Sequence, residues 1–409
     1  MSLLQPGQAG KPGRLALMLR LRTKERLPVT DPATVEPFAR HAHRVLVLQG
    51  GGALGSYQAG VYEAMAEADL CPDWVAGISI GAINAAIIAG NPADLRVRRL
   101  TEFWELVTSG VTATAPAFGD GVRRQWNQMA AAMTMAQGAP GFFKPLFPPV
   151  MPWMKDRLGY YDTTPLRATL ERLVDWDLLN AGPVRVSVGA VNVETGNFRY
   201  FDNRSERLGP EHIMASGALP PGFPPVEIDG QFWWDGGLVS NTPLDFVLEN
   251  DDDADLMIFQ VDLFPARGPM PQTIAEAEER MKDIRFSSRT RRNTDTTLKL
   301  NRARVAFHDL VAKLPADLRG SDEVRLLAEF ARESRIAIAQ LIYRDKAWEG
   351  QAKDYEFSRA TMAEHWLTGR EDVMRTIHDA AWLAEPMQFG TVVYDLSGED
   401  PALRPLRAA

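Results

Sequence analysis

The residues with most chemistry in this chain are a serine and two glycines, in Gly77-Ile78-Ser79-Ile80-Gly81. A serine on a sharp strand-to-helix turn has strained backbone angles. Side chains two positions away on either side would collide, so both must be glycine. The turn leaves Oγ exposed at the positive end of a helix, where developing negative charge is stabilised. Such a serine is a nucleophile once a base takes its proton. On its own, G-x-S-x-G also fits a plain packing turn of small residues.

A second glycine group precedes it, Gly50-Gly51-Gly52-Ala53-Leu54-Gly55. A glycine-rich turn between strand and helix presents bare N–H groups to an anion. Gly50, Gly52 and Gly55 match G-x-G-x-x-G, which fits a dinucleotide pyrophosphate. No Gly-Lys-Ser/Thr follows, so a P-loop is excluded. The third ligand is the oxyanion of an acyl-transfer transition state. A tight turn with no ligand is the remaining reading.

The elements that must position these groups are short and close together. Arg44-Val45-Leu46-Val47-Leu48-Gln49 reads as a buried parallel strand, and 56–68 as a helix. Trp74-Val75-Ala76 is a second strand. Ala82 to Ala89 is a small-residue helix that Gly90-Asn91-Pro92 stops. This β-α-β-α order, with a right-handed crossover, puts both turns at the carboxyl ends of parallel strands, where ligand sites form. One turn can supply a nucleophile and the other the oxyanion donors.

Composition narrows the class. The 409 residues suffice for one large or two ordinary domains; 45% hydrophobic and 24% charged content is that of a soluble globular protein. No window approaches eighteen uninterrupted apolar residues, which argues against a membrane span. The single Cys71 excludes an intrachain disulfide and suits a reducing, cytoplasmic compartment. The net charge of −8 argues against a nucleic-acid binder. Six histidines, at 41, 43, 212, 308, 365 and 378, show no metal-ligand spacing, so no metal is expected.

Residues 93–180 read as largely helical with an unusual insert. Met129, Met133, Met135, Phe142, Phe143, Phe147 and Trp153 are mixed with Pro140, Pro145, Pro148, Pro149 and Pro152, which prevent a regular helix over 140–152. Such residues suit an acyl-chain channel or lid, or core packing of a long connection. Strands are expected at 184–193, 198–201 and 256–261. The aromatic strand Phe232-Trp233-Trp234 ends in the turn Asp235-Gly236-Gly237.

Taken in order, Gly50–Gly55, Gly77–Gly81, Ala215-Ser216 with Pro220 to Val226, and Asp235-Gly236-Gly237 resemble the patatin-like phospholipase family over residues 44–262. The resemblance implies a three-layer α/β sandwich with a mainly parallel sheet and helices on both faces. It implies a Ser79–Asp235 dyad hydrolysing lipid esters without a cofactor. Backbone N–H groups of Gly50, Gly51, Gly52, Ala53 and Gly55 would form the oxyanion hole. Leu54 departs from the Arg or Lys that many relatives carry before the last glycine. A backbone oxyanion hole survives that change, without the extra positive charge.

The remainder divides into a tail, 1–43, and a mostly helical C-terminal region, 266–409, around a catalytic domain at 44–265. The tail carries Lys11, Arg14, Arg20, Arg22, Lys24 and Arg26 around a short apolar run, too short and interrupted for a secretory signal. It fits a solvated arm better than a membrane-surface foot. Ile274, Ala277, Met281 and Ile284 make a helical stripe beside Arg285, Arg289, Arg291 and Arg292. Those arginines suit a solvated, ion-paired face, or phospholipid headgroups at a peripheral membrane contact. Residues 336–343 fit helix or strand. The competing functions are a short-chain or storage-polyester esterase, a dinucleotide-binding oxidoreductase, and a catalytically silent interaction protein.

Overall fold

Strand β1 (His43–Leu48) is apolar on both faces, and both faces are covered. Leu46 and Leu48 join one core, Val45 and Val47 another, and all four are fully buried. Period-2 alternation explains the split: successive side chains leave a strand on opposite sides. The computed structural model describes residues 32–116, 119–148, 151, 153–155, 157–251, 254–328, 335–344, 346–379, 383 and 391–395.

Beside β1 lie β2 (Trp74–Gly77) and β5 (Arg185–Asn192) on one side, and β9 (Leu256–Asp262) on the other, all parallel. β6 (Phe198–Asp202) and β8 (Gln231–Asp235) pair antiparallel with β5, and β7 (Val226–Ile228) with β8. Beyond β9 come β10 (Ile336–Ile342) and β11 (Thr391–Asp395), again parallel. Two short strands, β3 (Lys144–Pro145) and β4 (Tyr161–Asp162), close the proline-rich insert. The larger core packs helices Gly55–Glu67, Ile80–Ala89 and Arg359–His378 on one face; Leu244–Glu249 covers the other. This is the expected α/β sandwich.

The C-terminal region is helical for the most part but also supplies β10 and β11. Its helix Arg359–His378 meets helix Gly55–Glu67 at bare backbone. A Cβ on Gly60 would lie 1.8 Å from the Trp366 carbonyl oxygen, and one on Gly369 would lie 2.1 Å from that of Tyr57. Residues 336–342 resolve as strand. A short apolar run cannot be told from buried helix by period alone, and pairing with β9 decides it.

The expected stripe on helix Ile274–Lys313 is corrected. Ile274, Met281 and Ile284 face solvent, while Asp283 and Ser287 are buried. The helix turns polar groups inward because Asp283 meets the fully buried ammonium of Lys353 at 2.7 Å. Part of the expected tail is also folded: helix Pro32–Ala39 buries Phe38 against Phe259, ring centroids 6.0 Å apart. The basic cluster from Lys11 to Arg26, and the side chains of Arg289, Arg291 and Arg292, lie outside the described residues.

Candidate active site

Ser79 links β2 to helix Ile80–Ala89 with φ +56°, a conformation rare for a residue with a side chain. The flanking glycines are required by contact. A Cβ on Gly77 would lie 2.4 Å from the backbone of Gly81, and one on Gly81 would lie 2.4 Å from the Leu48 carbonyl oxygen. The turn is thus wedged between its own helix and β1. The Ser79 N–H donates to Ser216 Oγ at 3.0 Å, which fixes the turn from helix Pro210–Ser216.

Asp235 ends β8 as the sequence predicts. It is 2% exposed, and burial pushes its carboxyl up to about 7, against hydrogen bonds from the Ser79 side chain and the Gly237 N–H. The Gly237 N–H reaches Oδ1 at 2.7 Å. Gly236 has no room for a side chain, since a Cβ there would lie 2.5 Å from the Gly189 carbonyl oxygen. A carboxyl poised near neutrality beside a strained hydroxyl is an acid–base pair in chemical terms.

The Gly50–Gly55 loop lies in the same site, but most of its donors are spent. The Gly50 N–H donates to the Asn241 carbonyl, Ala53 N–H to that of Asp354 at 2.8 Å, and Gly55 N–H to that of Gly52. The N–H groups of Gly51 and Gly52 have no protein acceptor among the described residues. The five expected donors therefore narrow to two. Gly52, at φ +54°, lies against the Asp354 carbonyl, so protein closes one side of the loop.

These groups line a cavity of about 280 Å³. Its other walls are aromatic: Phe142, Phe143, Tyr161, Phe223 and Phe357. Phe143 stands 4.9 Å from Tyr161 and 5.3 Å from Phe223, and Phe142 stands 5.8 Å from Phe357, between ring centroids. The insert thus lines the cavity with Phe142 and Phe143, while Phe147 and Trp153 stand in solvent.

The family model described as patatin-like phospholipase matches residues 46–248, and one described as patatin phospholipase matches residues 284–388. Together they cover more than half of the chain. The chain belongs to the patatin-like phospholipase family. Among solved structures it is similar to VipD from Legionella pneumophila, with 14% identity over 83% of this chain and 67% of that chain, at a TM-score of 0.36. No curated protein matches.

As a patatin-like phospholipase, the chain is placed among lipid acyl hydrolases in general, and both matched segments contribute to the cavity. Asp354, Tyr355 and Phe357 come from the C-terminal segment. Among the described residues no histidine lines the cavity. His365, 1% exposed, pairs with Glu349 at 2.7 Å, and His212 accepts from the Gly209 N–H at 2.9 Å. Among the described residues no group of three or more His, Cys, Asp or Glu is placed to hold a metal. No helix among them is long and apolar enough to cross a membrane.

Three contributors were not legible beforehand. Ser216 stood in a recognisable motif, but nothing there gave its bond to Ser79. Asn241 clasps Gly50 from both sides, its Nδ2 donating to the Gly50 carbonyl at 3.0 Å. Asp354 acts through its main chain, which leaves no signal in residue type.

Proposed function

We propose that the protein is a serine acyl hydrolase that cleaves carboxylic esters of lipids by a Ser79–Asp235 dyad. The observation that carries this reading is that Ser79, on its strained turn, and buried Asp235 line one aromatic cavity. Asp235 accepts the Ser79 proton as Oγ attacks the ester carbonyl carbon. The oxyanion forms beside the Gly51 and Gly52 N–H groups and the N-terminus of helix Ile80–Ala89. Collapse breaks the ester C–O bond, and the leaving alcohol takes the proton from Asp235. Water, deprotonated by Asp235, then attacks the acyl-Ser79 ester; the tetrahedral intermediate expels Oγ, which recovers its proton.

The aromatic walls favour an acyl chain over a small polar ester. This supports the lipid reading over a short-chain esterase. The spent donors of the glycine loop speak against the oxidoreductase alternative. The test is covalent labelling with an organophosphonate ester, alongside hydrolysis of a nitrophenyl ester and of phospholipid. Label on Ser79, lost with all hydrolysis in Ser79→Ala, is the expected result. Label on another serine, or full turnover by Ser79→Ala, overturns the assignment.

A further inference from the structure

We infer that Lys282 is a positioning residue of this site, acting through Asp354 on the two free N–H groups of the glycine loop. The inference rests on the dyad reading and assigns work to the C-terminal region.

The Ala53 N–H is held by the Asp354 carbonyl at 2.8 Å. That bond fixes the peptide plane joining Gly52 to Ala53. Gly52 is a soft link in the loop, because a residue without Cβ rotates freely. It sits at φ +54°, with room for no side chain: a Cβ would lie 2.0 Å from the same Asp354 oxygen. One carbonyl therefore holds the peptide that follows Gly52, and through the angles of Gly52 it sets the aim of the Gly51 and Gly52 N–H groups.

That carbonyl is held from the far side. Lys282 Nζ donates to Asp354 Oδ1 and to the Gln351 carbonyl, each at 2.7 Å, bridging the turn that carries Asp354. The next residue on the same helix, Asp283, binds Lys353 at 2.7 Å. Two adjacent helix residues thus clamp two adjacent turn residues with ion pairs of opposite sense. Lys282 does not line the cavity, so it acts only through the turn.

Oxyanion donors work when aimed at the transition state and idle in the ground state. Loosening them should therefore lower kcat and leave KM alone. The experiment compares wild type, Lys282→Met, Asp354→Asn and Ser79→Ala on a soluble nitrophenyl ester. It adds the rate of Ser79 phosphonylation and the affinity for a long-chain alcohol, which fills the cavity but has no carbonyl. Expected for Lys282→Met and Asp354→Asn is a fall of about tenfold in kcat and in phosphonylation rate, below the 10²–10³ of losing a whole donor. KM and alcohol affinity should stay within about twofold. Asp354→Asn keeps the carbonyl and the side-chain shape, so it carries the test if Lys282→Met fails to fold. Unchanged kcat in the folded variants, a rise in KM with kcat held, or alcohol affinity falling in step with kcat overturns the inference. Ser79→Ala separates the two claims: if it is inactive while the Lys282 and Asp354 variants are normal, only this inference falls. If Ser79→Ala hydrolyses the ester normally, the dyad reading falls.

Discussion

The cavity has two walls built by different physics. On the sheet side, backbone presses on backbone: Gly77 on Gly81, Gly81 on Leu48, Gly236 on Gly189. On the C-terminal side, the turn carrying Asp354 is held by Lys282–Asp354 and Lys353–Asp283. Steric contact below van der Waals distance is all-or-nothing, since close-packed interiors do not yield to an added methyl. Ion pairs hold by degrees, and removing one partner of a buried pair leaves a charge with nothing to meet it. The first wall should therefore fail completely when altered and the second partially.

The largest effect should come from Asp235→Asn. The change keeps the shape and removes the base, and general-base catalysis contributes about 10²–10⁴ in rate. The same residue sets a pH dependence. Only ionised Asp235 can accept the proton, so wild-type kcat/KM should fall as pH drops below about 7. Stability runs the opposite way. The folded carboxyl titrates near 7 and the unfolded one near 3.8, so the folded state holds the extra proton between those values. Its contribution is therefore full below 3.8 and lost as pH rises towards 7. Asp235→Asn escapes that loss. Its stability should pull ahead of wild type as pH rises from about 4 to about 7, by on the order of a few kcal/mol, and the gap should then hold steady. A constant gap across that range would mean that burial does not set the carboxyl's titration.

Gly52→Ala tests the junction of the two walls. The left-handed angle costs about 1–2 kcal/mol for a residue with a side chain. The clash with Asp354 comes on top. A loss of about 10²–10³ in kcat is expected, as for one misplaced donor. Gly196→Ala is the control: it shares the positive φ, at +70°, but meets nothing within 4 Å. It should lose some stability and no rate. Equal rate losses in the two variants would assign the effect to strain alone.

How much of this was legible follows from what each wall is made of. The elbow was readable because close approach admits only glycine, so the constraint is written into residue type at 77 and 81. The strand end at Asp235 was readable, but Asp-Gly-Gly is a common turn, and only the ordered set of motifs singled out its carboxylate. The glycine loop was half readable: the glycines marked the turn, but not that Asn241 and Asp354 take up two of its N–H groups. A carbonyl can come from any residue, so Asp354 left no trace. The stripe on helix Ile274–Lys313 misled because hydrophobic periodicity assumes that apolar residues face inward. Here a buried Lys353 required a carboxylate on that face instead.

The smallest effect on rate should come from His365→Ala, the sharpest test of whether the C-terminal wall does chemistry or only holds position. A Ser–His–acid arrangement carries the same elbow, so a histidine reaching Ser79 is the serious rival to the dyad. His365 is spent elsewhere. Its Nε2 meets Glu349 Oε1 at 2.7 Å, where the Tyr343 hydroxyl also donates at 2.7 Å, and the Lys346 N–H donates to Oε2 at 2.8 Å. Burial alone would raise the Glu349 carboxyl, but His365 and these donors hold it below its ordinary value. The group is a buried anchor. Removing the imidazole should lower stability by about 3–5 kcal/mol, as when a buried pair loses one member. Assayed well below the melting point, kcat should stay within about tenfold of wild type, roughly 1.4 kcal/mol in barrier. His212→Ala, His308→Ala and His378→Ala should do the same. A His365→Ala protein as inactive as Asp235→Asn, yet still folded by circular dichroism, would move proton transfer to the C-terminal wall and end the distinction between the two.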